Sequence, residues 1–359
     1  ISGGPMYYIE KSFNKRWAGV LFAALMMICA IGSGNMPQIN NIASVLDSTF
    51  SIPKLTTGLV LGVMLWMIIA GGIKRIAKIA SKLVPVMAVI YFGGALVVVA
   101  EIYQKISPSF HFIFSQVFSG SAAAGGFLGA SFAMSLKLGV ARGLYSNEAG
   151  QGSSPIAHAS AKAEHSVEQG MVSILEPFID TIVVCSVTAL VILSSGAWTQ
   201  KYDNTFERSS MAIFAGSYAE SNSKDVEELG KYILDARNFT SDTTNVENFT
   251  GNLDLTDGQM QKQNVTVFHN NSIAEDVVFY QGAEPVSGLL EISDGKIADS
   301  SVRVEGKSLI HSAELTSKAF GSGVLGIYGE YIVAIGLLLF AFSTAIAWSY
   351  YGDRSTAYI

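Results

Sequence analysis

Charged residues make up only 14% of the 359 positions, against about 25% in an ordinary soluble domain. With 50% of residues apolar and a mean hydropathy of +0.37, that scarcity excludes a surface turned wholly to water. Cysteine is nearly missing: there are 2, Cys29 and Cys185, both inside apolar stretches. Their placement excludes a disulfide framework and predicts buried thiols packed as small hydrophobes. Among the 5 histidines, His158 has no His or Cys at ligand spacing, so a zinc site is not indicated. The glycines of 139–152 are not followed by Gly-Lys-Ser/Thr, which excludes a phosphate-binding loop. No Ser, His and Asp can be set at one depth, so an enzyme has no support. A net charge of −6 leaves no basic footprint for nucleic acid.

What the chain has in quantity is apolar length. Six blocks, 17–34, 55–73, 83–103, 112–136, 171–196 and 326–350, approach the roughly 20 helical residues that cross a hydrocarbon core. The basic residues sit between them in alternation. Lys11, Lys15 and Arg16 precede the first block, and Lys74, Arg75, Lys78 and Lys82 stand between the second and third. Lys137, Arg142 and Lys162 lie between the fourth and fifth, and Arg354 follows the sixth. If all six blocks span, every basic connection falls on one side, which the positive-inside rule makes cytoplasmic. The chain begins in a loop-like Ile1-Ser2-Gly3-Gly4-Pro5 and stops just past the sixth block. It is therefore expected to be a fragment, with a transmembrane core at 1–198 and 318–359.

The stretch 199–317 is a different electrostatic object. It holds 19 of the 29 acidic and 9 of the 23 basic residues, so it carries about −10 and the remainder about +4. Its length makes a structureless loop unsuitable. Val265–Phe268, Asp276–Tyr280 and Ser301–Val304 have the composition of strands, and Asp225–Arg237 that of a helix. The expectation is an inserted α+β or mostly-β domain on the extracytoplasmic face. Formal glycosylation sequons begin at Asn238, Asn248, Asn264 and Asn270, a pattern polar loops also acquire by chance.

Several polar or small residues fall where lipid-embedded helices would need a reason for them. Gly125, Gly126 and Phe127 lie in a small-residue run midway along the fourth block. Such a run either unwinds at a substrate site or lets helices approach closely. Asn35 and Gln38 lie three apart after Gly32 and Gly34. They share a face if the helix continues, where neutral amides suit a zwitterion, or they form a helix terminus. Ser343 and Thr344 offer hard oxygen ligands to a sodium ion, or bond the carbonyl one turn back. Trp348, four residues after Thr344, either walls a small side chain or anchors the interface. Glu176 and Asp180 are intramembrane carboxylates, either functional or paired with a base.

From Ser146 the residues become familiar. Ser146-Asn147-Glu148-Ala149-Gly150-Gln151-Gly152-Ser153 through Ala157-His158-Ala159 resembles the signature of the alanine or glycine:cation symporter family. So do Gly3–Glu10, Gly34-Asn35-Met36 with Gln38, Gly71–Ile76, Phe178-Ile179-Asp180-Thr181, and Phe342-Ser343-Thr344 with Trp348–Gly352. The likeness covers nearly all of 1–198 and 320–359. It implies an all-α polytopic membrane protein, a fragment of the five-plus-five inverted repeat of leucine-transporter type, with alternating access. It further implies symport of a small neutral amino acid with sodium, or less often a proton, across the plasma membrane, that of a bacterium's inner membrane, with lipid around it. No covalent cofactor is implied, and the oligomeric state stays open. On the resemblance, Asn35, Gln38, Gly125, Gly126, Phe127, Thr344 and Trp348 become substrate-site positions and Ser343 and Thr344 sodium ligands. Asn147, Glu148 and Asp180 become gating or coupling residues. The family's first core helix would precede Ile1, so the fragment alone is not expected to transport. The insertion at 199–317 exceeds the family's usual connection. The alternative is a membrane-anchored binding or sensing protein acting through that domain.

Overall fold

A computed structural model describes residues 3–119, 132–236, 244–261 and 264–359. The chain divides into two compact units. One comprises Ile1–Ile106, Val140–Ser195 and Ser312–Ile359, the other Ser107–Gly139 and Gly196–His311.

Among the described residues of the first 200 positions the helices are α1 (Pro5–Phe13), α2 (Arg16–Phe50), α3 (Lys54–Ile69), α4 (Gly72–Glu101), α5 (Tyr103–Ser119), α6 (Phe132–Tyr145), α7 (Glu148–Gln151), α8 (Ser154–His158) and α9 (Ser166–Ser195). Three more follow: α10 (Ser223–Ala236), α11 (Ser312–Gly321) and α12 (Ile327–Tyr358). Four of these, α2, α4, α9 and α12, are long and apolar enough to cross a membrane, at 35, 30, 30 and 32 residues. The protein is membrane-spanning. Helix α3 is apolar but shorter, at 16 residues, or about 24 Å at 1.5 Å per residue. The centre of the expected fourth block, with Gly125, Gly126 and Phe127, lies outside the described residues.

Helix α12 is the hub of the first unit. Its Ala341, Phe342, Ile346, Trp348 and Tyr351 are buried against Met26 and Ile42 of α2, Leu61 of α3 and Ile76 of α4. The opposite faces show what surrounds them: on α2, Trp17, Leu21, Leu25 and Ile28 are all exposed. A water-facing helix would put polar residues at that spacing, whereas hydrocarbon rewards an apolar stripe. The same inversion corrects the expectation for the thiols. Cys29 and Cys185 are both exposed, because in a bilayer an apolar block turns its surplus outward as well as inward. Lys74, Arg75 and Lys78, which stand between the second and third apolar blocks, belong to the opening turns of α4, since hydropathy marks where lipid contact ends and not where hydrogen bonding ends.

The second unit is dominated by strands. Among its described residues, β1 (Lys201–Thr205), β2 (Met211–Ala215), β3 (Glu247–Asn248), β4 (Gly251–Thr256), β5 (Gln259–Met260) and β6 (Val265–His269) come first. They are followed by β7 (Ser272–Ile273), β8 (Glu275–Gln281), β9 (Glu284–Pro285), β10 (Gly288–Ser293), β11 (Lys296–Ile297) and β12 (Val302–Leu309). They form three antiparallel sheets in the orders β1-β12-β8-β9, β11-β10-β4-β5 and β3-β2-β6-β7. Alternation decides which residues enter the core: Leu253 and Leu255 on β4 and Val302 and Val304 on β12 are buried, with exposed neighbours between. They close with Phe206, Ile213 and Phe279 into one cluster, while Leu229 and Ile233 of α10 cover Phe214 and Phe268 in a second. The three strands and the helix expected from composition fall within or beside β6, β8, β12 and α10. The two-residue strands carry too little periodicity to be read in advance.

Candidate functional site

Helix α2 does not end at its glycines. Residues Ala30–Asn35 form a π-helical turn that hands on directly to α-helix from Met36. Pro37 has no N–H to donate, and the glycines on either side of Ser33 relieve crowding, so the ladder widens by one residue here. Asn35 turns its amide back on this turn: Nδ2 donates to the Ala30 carbonyl at 2.8 Å, while Oδ1 is buried without a partner. Gln38 lies on the next face position of the continuing helix, half-buried.

The wide turn makes room for an aromatic ring. A Cβ built on Gly34 would sit 2.3 Å from Cδ2 of Trp348, so only glycine lets the indole lie against the α2 backbone. Trp348 is buried, and its ring meets that of Tyr351 at 5.7 Å and 73°. Thr344 and Ser343 stand one turn earlier on α12, both half-buried. Each hydroxyl donates to the Phe340 carbonyl, at 3.0 and 2.7 Å. Those bonds use the hydroxyl hydrogens and leave oxygen lone pairs for another partner.

A second π turn, Phe178–Val184, follows Pro177 in α9 and carries Asp180 and Thr181. Thr181 Oγ1 shares a hydrogen bond with Ser146 Oγ at 3.0 Å and accepts one from Asn147 Nδ2 at 3.1 Å. One turn before Asp180, Glu176 Oε2 accepts from Ser154 Oγ at 2.8 Å and lies 3.6 Å from His158 Nε2. Gln169 Nε2 stands 2.5 Å from His158 Nδ1 and fixes the ring's other edge. Glu148, at the start of α7, accepts a hydrogen bond from the Tyr351 hydroxyl. Burial, and then the Glu176 and Asp180 carboxylates, push the Glu148 carboxyl up to about 7 against the opposing pull of the tyrosine bond.

The structure thus joins Asn147 to Thr181 and Glu148 to Tyr351, two partners not chosen as site residues, and sets Asp180 one turn after Glu176, which the sequence had already offered as a candidate. Tyr351 lies three residues after Trp348 and therefore on the same helical face. That spacing was the available signal for it, masked by a run of aromatics. Among the described residues, no group of three or more His, Cys, Asp or Glu side chains is placed to hold a metal ion.

Long apolar helices broken at two π turns, a tryptophan seated on one of them and a carboxylate cluster beside the other define a polytopic membrane protein with an interior polar site. The chain belongs to the Sodium:alanine symporter family, which it matches over residues 1–222 and 297–359. Residues 223–296, within the sheet unit, lie outside that match. The chain is 42% identical over 200 residues to the sodium/alanine symporter AgcS of Methanococcus maripaludis, covering 55% of this chain and 43% of AgcS. It is 42% identical over 196 residues to the probable sodium/glutamine symporter GlnT of Bacillus subtilis, covering 55% and 40%. It is also 40% identical over 205 residues to the putative sodium/proton-dependent alanine carrier protein YrbD of Bacillus subtilis, covering 57% and 42%. The chain spans about two fifths of the length of these relatives.

Proposed function

We propose that the full-length protein is a secondary transporter that moves a small neutral amino acid, alanine or glycine, together with sodium by alternating access. The observation that carries this reading is the seat of Trp348 on the Gly34 backbone. A π turn within a spanning helix, with an aromatic ring seated on it, supports a binding site for a small zwitterion. On this reading the helices belong to a five-plus-five inverted repeat, Asn35, Gln38, Thr344 and Trp348 face the substrate, and Ser343 and Thr344 ligate the ion. The buried free oxygen of Asn35 gives an ammonium group an acceptor. Residues 1–198 and 318–359 form the transmembrane core in the bacterial inner membrane, and 199–317 face the outside, as the alternating basic connections require.

Uptake of radiolabelled alanine into proteoliposomes, with and without an inward sodium gradient, tests the proposal. Sodium-dependent uptake that is lost in Thr344→Ala and Trp348→Ala is expected. Uptake driven by a pH gradient alone changes the ion, and no uptake of any small amino acid under either gradient overturns transport. A second reading, ligand sensing by the sheet unit, draws on a cavity of about 800 Å³ bordered by Arg208, Tyr232, Asn248, Asp294 and Lys296. Uptake that survives deletion of residues 199–317 counts against that reading.

A further inference from the structure

We infer that Glu148 is a proton-binding site whose occupancy holds the 146–158 segment against α12 and α9, so that proton release opens this contact. The inference rests on the transport reading for its consequence, but its geometry stands alone. The segment is tied down at four points. Glu148 accepts from Tyr351 of α12, Ser154 Oγ donates to Glu176 of α9, and Ser146 and Asn147 bond Thr181 of α9. Ile156 between them is buried in the α12 cluster.

The carboxylates of Glu176 and Asp180 lie near enough to act on the charge of the third, Glu148, whose hydroxyl partner is Tyr351, and His158 stands 3.6 Å from Glu176. Among the described residues none of the three has a Lys or Arg ion pair. A cluster of acids short of cations does not stay fully ionised when it is sheltered from water. Glu176 has a serine hydroxyl and the imidazole at hand, whereas at Glu148 burial outweighs the Tyr351 phenol and the Ser153 hydroxyl beside it. Its carboxyl accordingly titrates near pH 7, inside the physiological range. With the proton on, Glu148 is a neutral acceptor for the Tyr351 hydroxyl and the contact is electrically quiet. With the proton off, a buried negative charge faces two others, and swinging α7 toward water relieves it. The step is a protonation only: a solvent proton adds to Oε1 or Oε2 and leaves the same way. The group would respond to pH on whichever side of the membrane reaches it.

The test is infrared difference spectroscopy on the full-length protein in liposomes, titrated from about pH 5 to 9, reading the protonated-carboxyl stretch. A carboxyl band that titrates out near pH 7, vanishes in Glu148→Gln and survives in Glu176→Gln and Asp180→Asn is expected. Tyr351→Phe removes the bond that favours the ionised form, so the midpoint should rise. In parallel, sodium-driven alanine uptake should vary with pH in the wild type and lose that variation in Glu148→Gln. A band that persists in Glu148→Gln, or a Glu148 titrating in the ordinary carboxylate range, overturns the inference even if transport is sound. Absent uptake with the expected infrared titration overturns the transport reading and leaves the proton site standing.

Discussion

Lowering the pH should weaken the sheet unit through a single imidazole. His269 ends β6 at 1% exposure. The ring of Phe206 stacks on it at 4.4 Å and 16°. Its Nε2 accepts the Glu207 backbone N–H at 3.2 Å, and Nδ1 lies 2.8 Å from Ser308 Oγ. With Nε2 committed as an acceptor, a second ring proton would have to point at the Glu207 N–H, setting donor against donor. Burial, with the charge of nearby His311 adding to it, pushes the imidazole down from 6.5 to about 4. Between those values the unfolded chain binds a proton that the folded one refuses. Stability is therefore full above the unfolded value and declines as pH falls through the window. At 1.36 kcal/mol per unit, a drop of about 2.5 units is worth about 3 kcal/mol by pH 4.

Hydrogen–deuterium exchange of the full-length protein in detergent, corrected for intrinsic rates, reads this in peptides spanning β2, β6 and β12. The comparison is with His269→Gln, which keeps an acceptor for Glu207 but does not titrate. The variant starts less stable at pH 7, having lost the ring stack, and should lose less on acidification. The difference between the two pH curves isolates the imidazole from the carboxylates common to both. A difference that stays flat from about pH 7 to 4, or a His269 ring resonance titrating near 6.5, refutes the reasoning.

Gly34→Ala should destabilise the helical unit by about 1–3 kcal/mol, because a methyl there cannot coexist with the indole. A variant melting in detergent with the wild type contradicts the seat of Trp348. Arg208→Ala strands the Asp299 and Val302 carbonyls that its guanidinium reaches at 2.6 and 2.7 Å. The sheet unit should lose about 1 kcal/mol, seen as faster exchange in β12, and unchanged exchange contradicts it. Phe214→Ala empties a fully buried position between β2 and α10. About 3–5 kcal/mol should vanish from the same unit's protection while α12 peptides stay as they were.

Legibility followed the length scale of the signal. Hydropathy summed over many residues locates α2, α4, α9 and α12, because each must match a bilayer and no soluble requirement dilutes it. A π turn adds one residue to a helix, far below what such sums resolve, yet Pro37 and Pro177 sit beside both interruptions. A missing donor was the readable cause, and its outcome needed the backbone. The thiols were misjudged because the rule that apolar surroundings mean burial assumes water outside. Ser343 and Thr344 kept both of their readings at the sequence level, and the structure gives their hydroxyl hydrogens to Phe340 while the ion role stays a proposal. Glu148 was singled out by its motif. Its partner Tyr351 was not, since 203 positions separate them and only tertiary packing joins the pair.

The β1–β12 ladder has a consequence for how this chain was assembled and can be rebuilt. Lys201 pairs with Leu309 and Thr205 with Glu305 in antiparallel register, so the first and last strands of the sheet unit run side by side, about 5 Å apart. Whatever lies between them is hung from a zipped seam. Material can be lengthened, trimmed or exchanged there in a single genetic event while the seam still delivers both ends to the same place. The family match stops at 222 and resumes at 297, so the unmatched residues lie between the two strands of that seam.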